Sequence, residues 1–157
     1  MLKIKFIVVD RTRSPFLREG EAHYLSRLKR YAQIEWIEIK PSRIKKGRSE
    51  QEILDTEGRE ITRRLKPGDY LIALDLSGKQ YDSEGLASWL KDLRTGIRGK
   101  ACFVVGGPVG LSKEILDQAD TIISLSRLTL THEMSRLFLI EQLYRALTII
   151  EGHKYHR

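Results

Sequence analysis

Cysteine is almost missing from this chain. Cys102 stands alone inside the apolar run ACFVV, which excludes a disulfide framework and a cysteine-pair metal site and predicts a cytoplasmic protein. Long hydrophobic runs are missing too, since none approaches the roughly 18 to 20 residues needed to cross a bilayer. The N-terminal MLKIKFIVVD is apolar only briefly. Asp10 and Arg11 end it before a signal-peptide core could form, so it reads as a first strand. No linker composition or internal repeat interrupts the 157 residues, which predicts one domain, 1–157, because single domains usually run about 100 to 200 residues. Negative charge is the scarcer sign. Twenty-one Asp and Glu against 28 Lys and Arg leave a formal charge of +7, which suits a polyanionic partner such as nucleic acid and equally serves solubility.

What is present is a regular alternation of strand and helix patterns. Leu2 to Val9, IEWIEI (34–39), YLIALD (70–75), Lys100 to Val105 and TIISL (121–125) read as strands. Helical spacing covers Phe16 to Tyr31, a stretch from Ser49 to about Leu65, one opened by Asp82 or Ser83, a short one near Ser112 to Ala119, and a long last one from Glu133 to Gly152. LSGKQYD reads as a turn, and PSRIKKGR (41–48) as an exposed basic loop. This alternation predicts an α/β fold with a mainly parallel sheet flanked by helices. Ligands of such sheets bind beyond the carboxyl ends of the strands, where YLIALD, CFVVGG and TIISLS all terminate. The last helix is apolar nearly all round, which predicts cover on two sides and hence a second subunit.

Directly after the fourth strand comes GGPVGLSK (106–113). Gly106 and Gly107 allow close backbone approach of a ligand. The corner lacks the Lys-Ser/Thr ending of a P-loop and the G-x-G-x-x-G spacing of a dinucleotide site, so triphosphatases and conventional dehydrogenases lose ground. The polar loop SLSRLTLTH (124–132) is rich in hydroxyl and backbone groups and poor in charge. It suits a neutral planar face such as adenine better than phosphate. In the final helix Glu141 and Arg145 are spaced to pair, and Arg136 is placed to reach RNA or a partner subunit.

Together GGPVGLS, SLSRLTLTH, LIEQLYRA and the terminal HKYHR, in this order along essentially the whole chain, resemble the ribosomal large subunit methyltransferase H family of the SPOUT class. The resemblance implies a deep C-terminal trefoil knot, a homodimer, S-adenosylmethionine as cofactor and no metal. It further implies methylation of N3 of a pseudouridine in a hairpin loop of 23S rRNA, within the assembled ribosome or large subunit. The implied cofactor residues are Leu74, Gly106, Leu125, Ser126, Arg127, Leu128, Thr129 and Leu130, and the implied catalytic residues are Tyr155, His156 and Arg157 in the tail. Val109 and Thr131 depart from the family pattern at the cofactor rim. Two alternatives accompany this reading: a non-enzymatic ribosome-associated protein of the same fold, and a SPOUT methyltransferase acting on tRNA. The clusters RLKR (27–30) and Arg43, Lys45, Lys46 and Arg48 are expected to touch RNA backbone.

Overall fold

Alternate residues of the first strand, β1 (Leu2–Val9), go to opposite faces: Leu2, Ile4, Phe6 and Val8 enter one apolar cluster, Ile7 and Val9 another. Both sides of the strand are therefore covered, as its nearly unbroken hydrophobicity requires. The computed structural model describes residues 1–42, 47 and 49–156. The expected basic contacts at Arg43, Lys45, Lys46 and Arg48, and the tail residue Arg157, lie outside the described residues. The other strands are β2 (Ala32–Ile39), β3 (Tyr70–Lys79), β4 (Ala101–Val105) and β5 (Thr121–Ile123). They form one five-stranded sheet in the order β2-β1-β4-β3-β5, with every pairing parallel.

Helices α1 (Pro15–Leu28), α3 (Ser83–Gly96) and α5 (His132–Ile150) cover one face, and α2 (Glu50–Arg63) with α4 (Lys113–Gln118) cover the other. Side chains cap three of these helices: Ser49, Asp82, one of the two residues expected to open α3, and Ser112 each accept a hydrogen bond from a backbone N–H of the first helical turn. Three expectations change. The segment LSGK is not simply a turn, because β3 continues to Lys79 and Ile123 of β5 pairs with both Leu74 and Lys79. Residues 75–78 thus leave the ladder and return to it. Gly78 makes that possible, since a Cβ there would lie 2.6 Å from the backbone of Ile122 and Ile123. Helix α1 stops at Leu28, where Arg30 and Tyr31 N–H groups turn back to the carbonyls of Arg27 and Leu28. And α5 obtains most of its apolar cover within the chain, lying against α1, α3 and β4, with Met134 and Phe138 left exposed.

Beneath the opposite end of the sheet, Lys5 points from β1 with only 1% of its side chain exposed. Its Nζ donates to Asp69 Oδ2 at 2.8 Å and to the carbonyl of Arg64 at 2.9 Å. Burial pushes the Asp69 carboxyl up, but hydrogen bonds from Lys5 and from the N–H groups of Lys66 and Lys100 outweigh it and bring the carboxyl down to about 2. Lys5→Met removes the buried cation and leaves the carboxylate unpaired, with an expected loss of about 3–5 kcal/mol in urea unfolding at pH 7. Asp69 is depressed below its ordinary 3.8, so its stabilising effect is complete above about pH 4 and disappears as pH falls through about 2. The gap between wild type and variant should therefore narrow in acid; an equal gap at pH 7 and pH 2 would refute the assignment.

Candidate active site

At the carboxyl edge of the sheet, the ends of β3, β4 and β5 open into a cleft of about 450 Å³. One wall is the glycine corner after β4. Gly110 N–H donates to the Gly107 carbonyl at 3.0 Å, and Gly110 itself sits at φ 79°. The turn folds so tightly that a Cβ on Gly106 would lie 2.5 Å from the Gly110 carbonyl oxygen. Only glycine fits there. Behind the corner, Glu57 of α2 is buried, and burial pushes its carboxyl up; Oε2 accepts from Ser42 N–H at 3.1 Å.

A second wall is the excursion of β3, with Leu74, Asp75 and Leu76 on the cleft. Asp75 Oδ2 accepts from both the N–H and the hydroxyl of Ser77, which holds the excursion closed. The third wall is the loop 124–131, which is braced by its own hydroxyls. Ser124 Oγ donates to the Ser126 carbonyl, Ser126 Oγ accepts from Leu128 N–H, both at 2.9 Å, and Thr131 caps α5 by accepting from Met134 N–H at 3.2 Å. Among the described residues lining the cleft, Asp75 carries the only carboxylate, and no lysine or arginine is present. His132 also lines it, and burial together with the Arg136 cation holds its imidazole below the ordinary range.

Of the residues singled out in the sequence, Leu74, Gly106, Leu125, Ser126, Leu128, Thr129 and Leu130 all line this cleft. Arg127 does not line it, and its side chain is exposed. Val109 is half-buried off the lining, whereas Thr131 lies on it. Sequence reasoning missed Asp75 and Leu76, because a strand that leaves its ladder and returns reads as a turn. It also misplaced Arg136, which is fully buried: Nη1 donates to Thr12 Oγ1 at 3.1 Å and Nη2 to the Val9 carbonyl. Thr12 in turn donates to Glu21, a buried carboxyl raised by burial. A buried cation whose two terminal nitrogens are bonded to Val9 and Thr12 of its own chain cannot reach RNA, and only the tertiary contacts reveal this.

The tail is docked rather than frayed. His153 Nδ1 lies 2.7 Å from Tyr31 Oη, and Tyr155 Oη donates to Glu141 Oε1 at 3.0 Å. The Tyr155 ring meets Tyr144 at 4.6 Å, with the Arg145 guanidinium 4.8 Å from its centre. Arg145 Nη1 approaches His156 Nδ1 at 3.2 Å, and its Nη2 donates to Glu141 Oε1 at 2.6 Å. LIEQLYRA is thus the seat of the tail. That seat is not at the chain's own cleft: Arg145 lies ten residues beyond Ser135 on α5, about 15 Å along a helix axis.

No helix among the described residues is long and apolar enough to cross a membrane. Among the same residues, no cluster of three or more His, Cys, Asp or Glu could hold a metal ion.

Comparison with known proteins places this architecture. The family described as "Predicted SPOUT methyltransferase" matches residues 2–156. The chain is 38% identical over 159 aligned positions to the Ribosomal RNA large subunit methyltransferase H of Bacillus pumilus, with 99% of this chain and 100% of that protein covered. It is 36% identical to the protein of the same name from Halothermothrix orenii, at the same coverage. In three dimensions it is similar to a solved structure described as a probable methylase family protein from Haemophilus influenzae, with a TM-score of 0.54 and 15% identity, covering 98% of this chain and 70% of that one. That last likeness concerns the fold alone. With a parallel sheet, a cleft at its carboxyl edge and full-length relatives of this kind, the chain belongs to the SPOUT methyltransferases, in the ribosomal RNA large subunit methyltransferase H family.

Proposed function

We propose that residues 1–157 act as one domain that methylates N3 of a pseudouridine in a hairpin loop of 23S rRNA, in the cytoplasm, on the assembled ribosome or large subunit. The observation that carries this reading is the cleft itself. Among the described residues its walls are mainly leucines and glycine backbone, its hydrogen-bonding groups are hydroxyls, main chain and the His132 imidazole, and its one carboxylate is Asp75. A mostly apolar pocket with a few placed polar groups suits a cofactor-sized ligand. The absence of lysine and arginine from the described lining suits one that carries positive rather than phosphate charge. S-adenosylmethionine fits: bound there, it would supply an electrophilic methyl on cationic sulfur for transfer to N3 and would leave as the neutral thioether. Leu74, Leu125, Leu128 and Leu130 would flank the adenine, and the main chain around Gly106 would read its edge. Asp75 would face the positive end. The deep trefoil knot belongs to the same reading, with the chain from β4 onward as its cord.

The reading further requires two copies. Met134, Phe138, Glu141 and Arg145 are spaced by four, three and four residues, which aligns them in one stripe of α5. Met134 and Phe138 are exposed, 38% and 37%, beside the cleft-lining Ser135; Glu141 and Arg145 seat the tail. Packing two such stripes antiparallel about a two-fold axis covers the exposed pair. It also brings the tail of one protomer to the cleft of its partner, where Tyr155, His156 and Arg157 would act. Phe138→Glu should convert the dimer to monomer in sedimentation and reduce methyl transfer at least tenfold. A fully active monomer would remove the shared site.

Mapping methylated nucleotides in ribosomes from cells with and without the gene tests the function directly. Loss of one N3-methylpseudouridine from 23S rRNA is the expected result. Loss of a tRNA methyl group instead would transfer the assignment to tRNA, and no binding of millimolar S-adenosylmethionine in calorimetry would leave only the non-enzymatic RNA-binding protein.

A further inference from the structure

The tail residues are held in a way that specifies their protonation. Arginine carries five N–H donors and no acceptor. In the contact between Arg145 Nη1 and His156 Nδ1 at 3.2 Å, the imidazole nitrogen must therefore accept. A neutral ring that accepts at Nδ1 carries its proton at Nε2, and among the described residues Nε2 has no hydrogen-bond partner. Arg145 is not free to swing away. Its other terminal nitrogen is tied to Glu141 Oε1, its plane lies by the Tyr155 ring, and the second oxygen of Glu141 accepts from Gln142 Nε2 at 2.8 Å. Tyr155 is committed as well, because its hydroxyl donates to Glu141 and contacts Tyr24. Burial first, then the hydrogen bonds with Tyr24 and Glu141, keep its phenol protonated.

We propose that Arg145 is a positioning residue that fixes His156 as the neutral Nε2–H tautomer, so that the tail offers the substrate a hydrogen-bond donor rather than a base. This rests on the function proposed above. The pseudouridine imide loses its N3 proton to bulk water, and the negative charge spreads to the two carbonyl oxygens flanking N3. His156 Nε2–H donates to one of those oxygens and stabilises the anion that receives the methyl. The arrangement explains why LIEQLYRA carries both an acid and a base at i,i+4 spacing: Glu141 aims Arg145, and Arg145 aims His156.

Two measurements on the full-length protein decide the matter. In long-range 15N NMR of histidine-labelled protein above the imidazole titration, His156 should show an unprotonated Nδ1 and a protonated Nε2, and Arg145→Met should turn it into a tautomer mixture. In single-turnover methylation of ribosomes lacking the modification, His156→Ala should slow transfer by about 10²–10³-fold. His156→Gln, whose amide donates a hydrogen but takes no proton at neutral pH, should stay within about tenfold of wild type. A wild-type Nδ1–H tautomer, or His156→Gln as slow as His156→Ala, overturns the proposal. Wild-type protein that methylates no ribosome overturns the parent function and the donor role together, while the spectrum still decides the tautomer by itself.

Discussion

Gly106→Ala is expected to weaken S-adenosylmethionine binding by roughly tenfold to a hundredfold, because relieving an overpacked contact costs about 1–3 kcal/mol. The added methyl would stand 2.5 Å from the Gly110 carbonyl oxygen and 2.6 Å from its carbonyl carbon. Both are backbone, so no side-chain rotation relieves the contact. The turn must open, and with it goes the hydrogen bond from Gly110 N–H to the Gly107 carbonyl. Calorimetry with the cofactor measures the loss. Gly96, where nothing lies within 4 Å of an added Cβ, provides the control: Gly96→Ala at the end of α3 should bind as wild type does. Equal affinities for the two variants would detach the corner from the cofactor.

Removing Tyr155 to Arg157 should lower methyl transfer by about 10²–10⁴-fold, the range for losing positioned proton-transfer or charge-stabilising groups. Cofactor affinity should stay within threefold, because the tail is seated on Glu141, Tyr144 and Arg145, and neither Tyr155 nor His156 lines the cleft. A mixed dimer sharpens the result. At cofactor concentrations well below the weakened affinity of Gly106→Ala, that variant and the tail-truncated protein should each transfer methyl slowly on their own. Combined, they should regain part of the activity, because in the proposed dimer an intact tail would then face an intact cleft. Mixtures no more active than their components would place the tail's action within its own chain or nowhere.

The buried Arg136 illustrates how placement alters the meaning of a residue. Next to the polar loop it reads as a surface cation available to RNA. In the folded chain it fastens the end of β1 to α5 through Val9 and Thr12, with Glu21 of α1 beyond. Burial pulls the guanidinium down, while Glu21 and Glu133 pull it up. Glu133 Oε1 meanwhile accepts from the N–H groups of Arg13 and Ser14, at 2.7 and 3.1 Å, closing the start of α1. These ties set the rim on which His132 stands.

The sequence by itself determined the alternation of five strands and five helices and the starts of three helices at Ser49, at Asp82 or Ser83, and at Ser112. Periodicity and hydrogen-bonding chemistry are local properties, so one chain displays them directly. It also showed the glycine corner and the polar loop, because a backbone that must approach a ligand excludes side chains and a loop that braces itself needs hydroxyls. Tertiary structure alone decided the rest. It brought β3, β4 and β5 edge to edge so that three loops distant in the chain share one cleft, and it made Asp75 a wall through a strand excursion that pattern reads as a turn. It supplied α5 with cover from α1 and α3, leaving Met134 and Phe138 exposed. And it seated the tail some 15 Å along α5 from its own cleft, because where a terminus lies depends on which distant side chains pair with it, and pairing across the chain leaves no periodic signal.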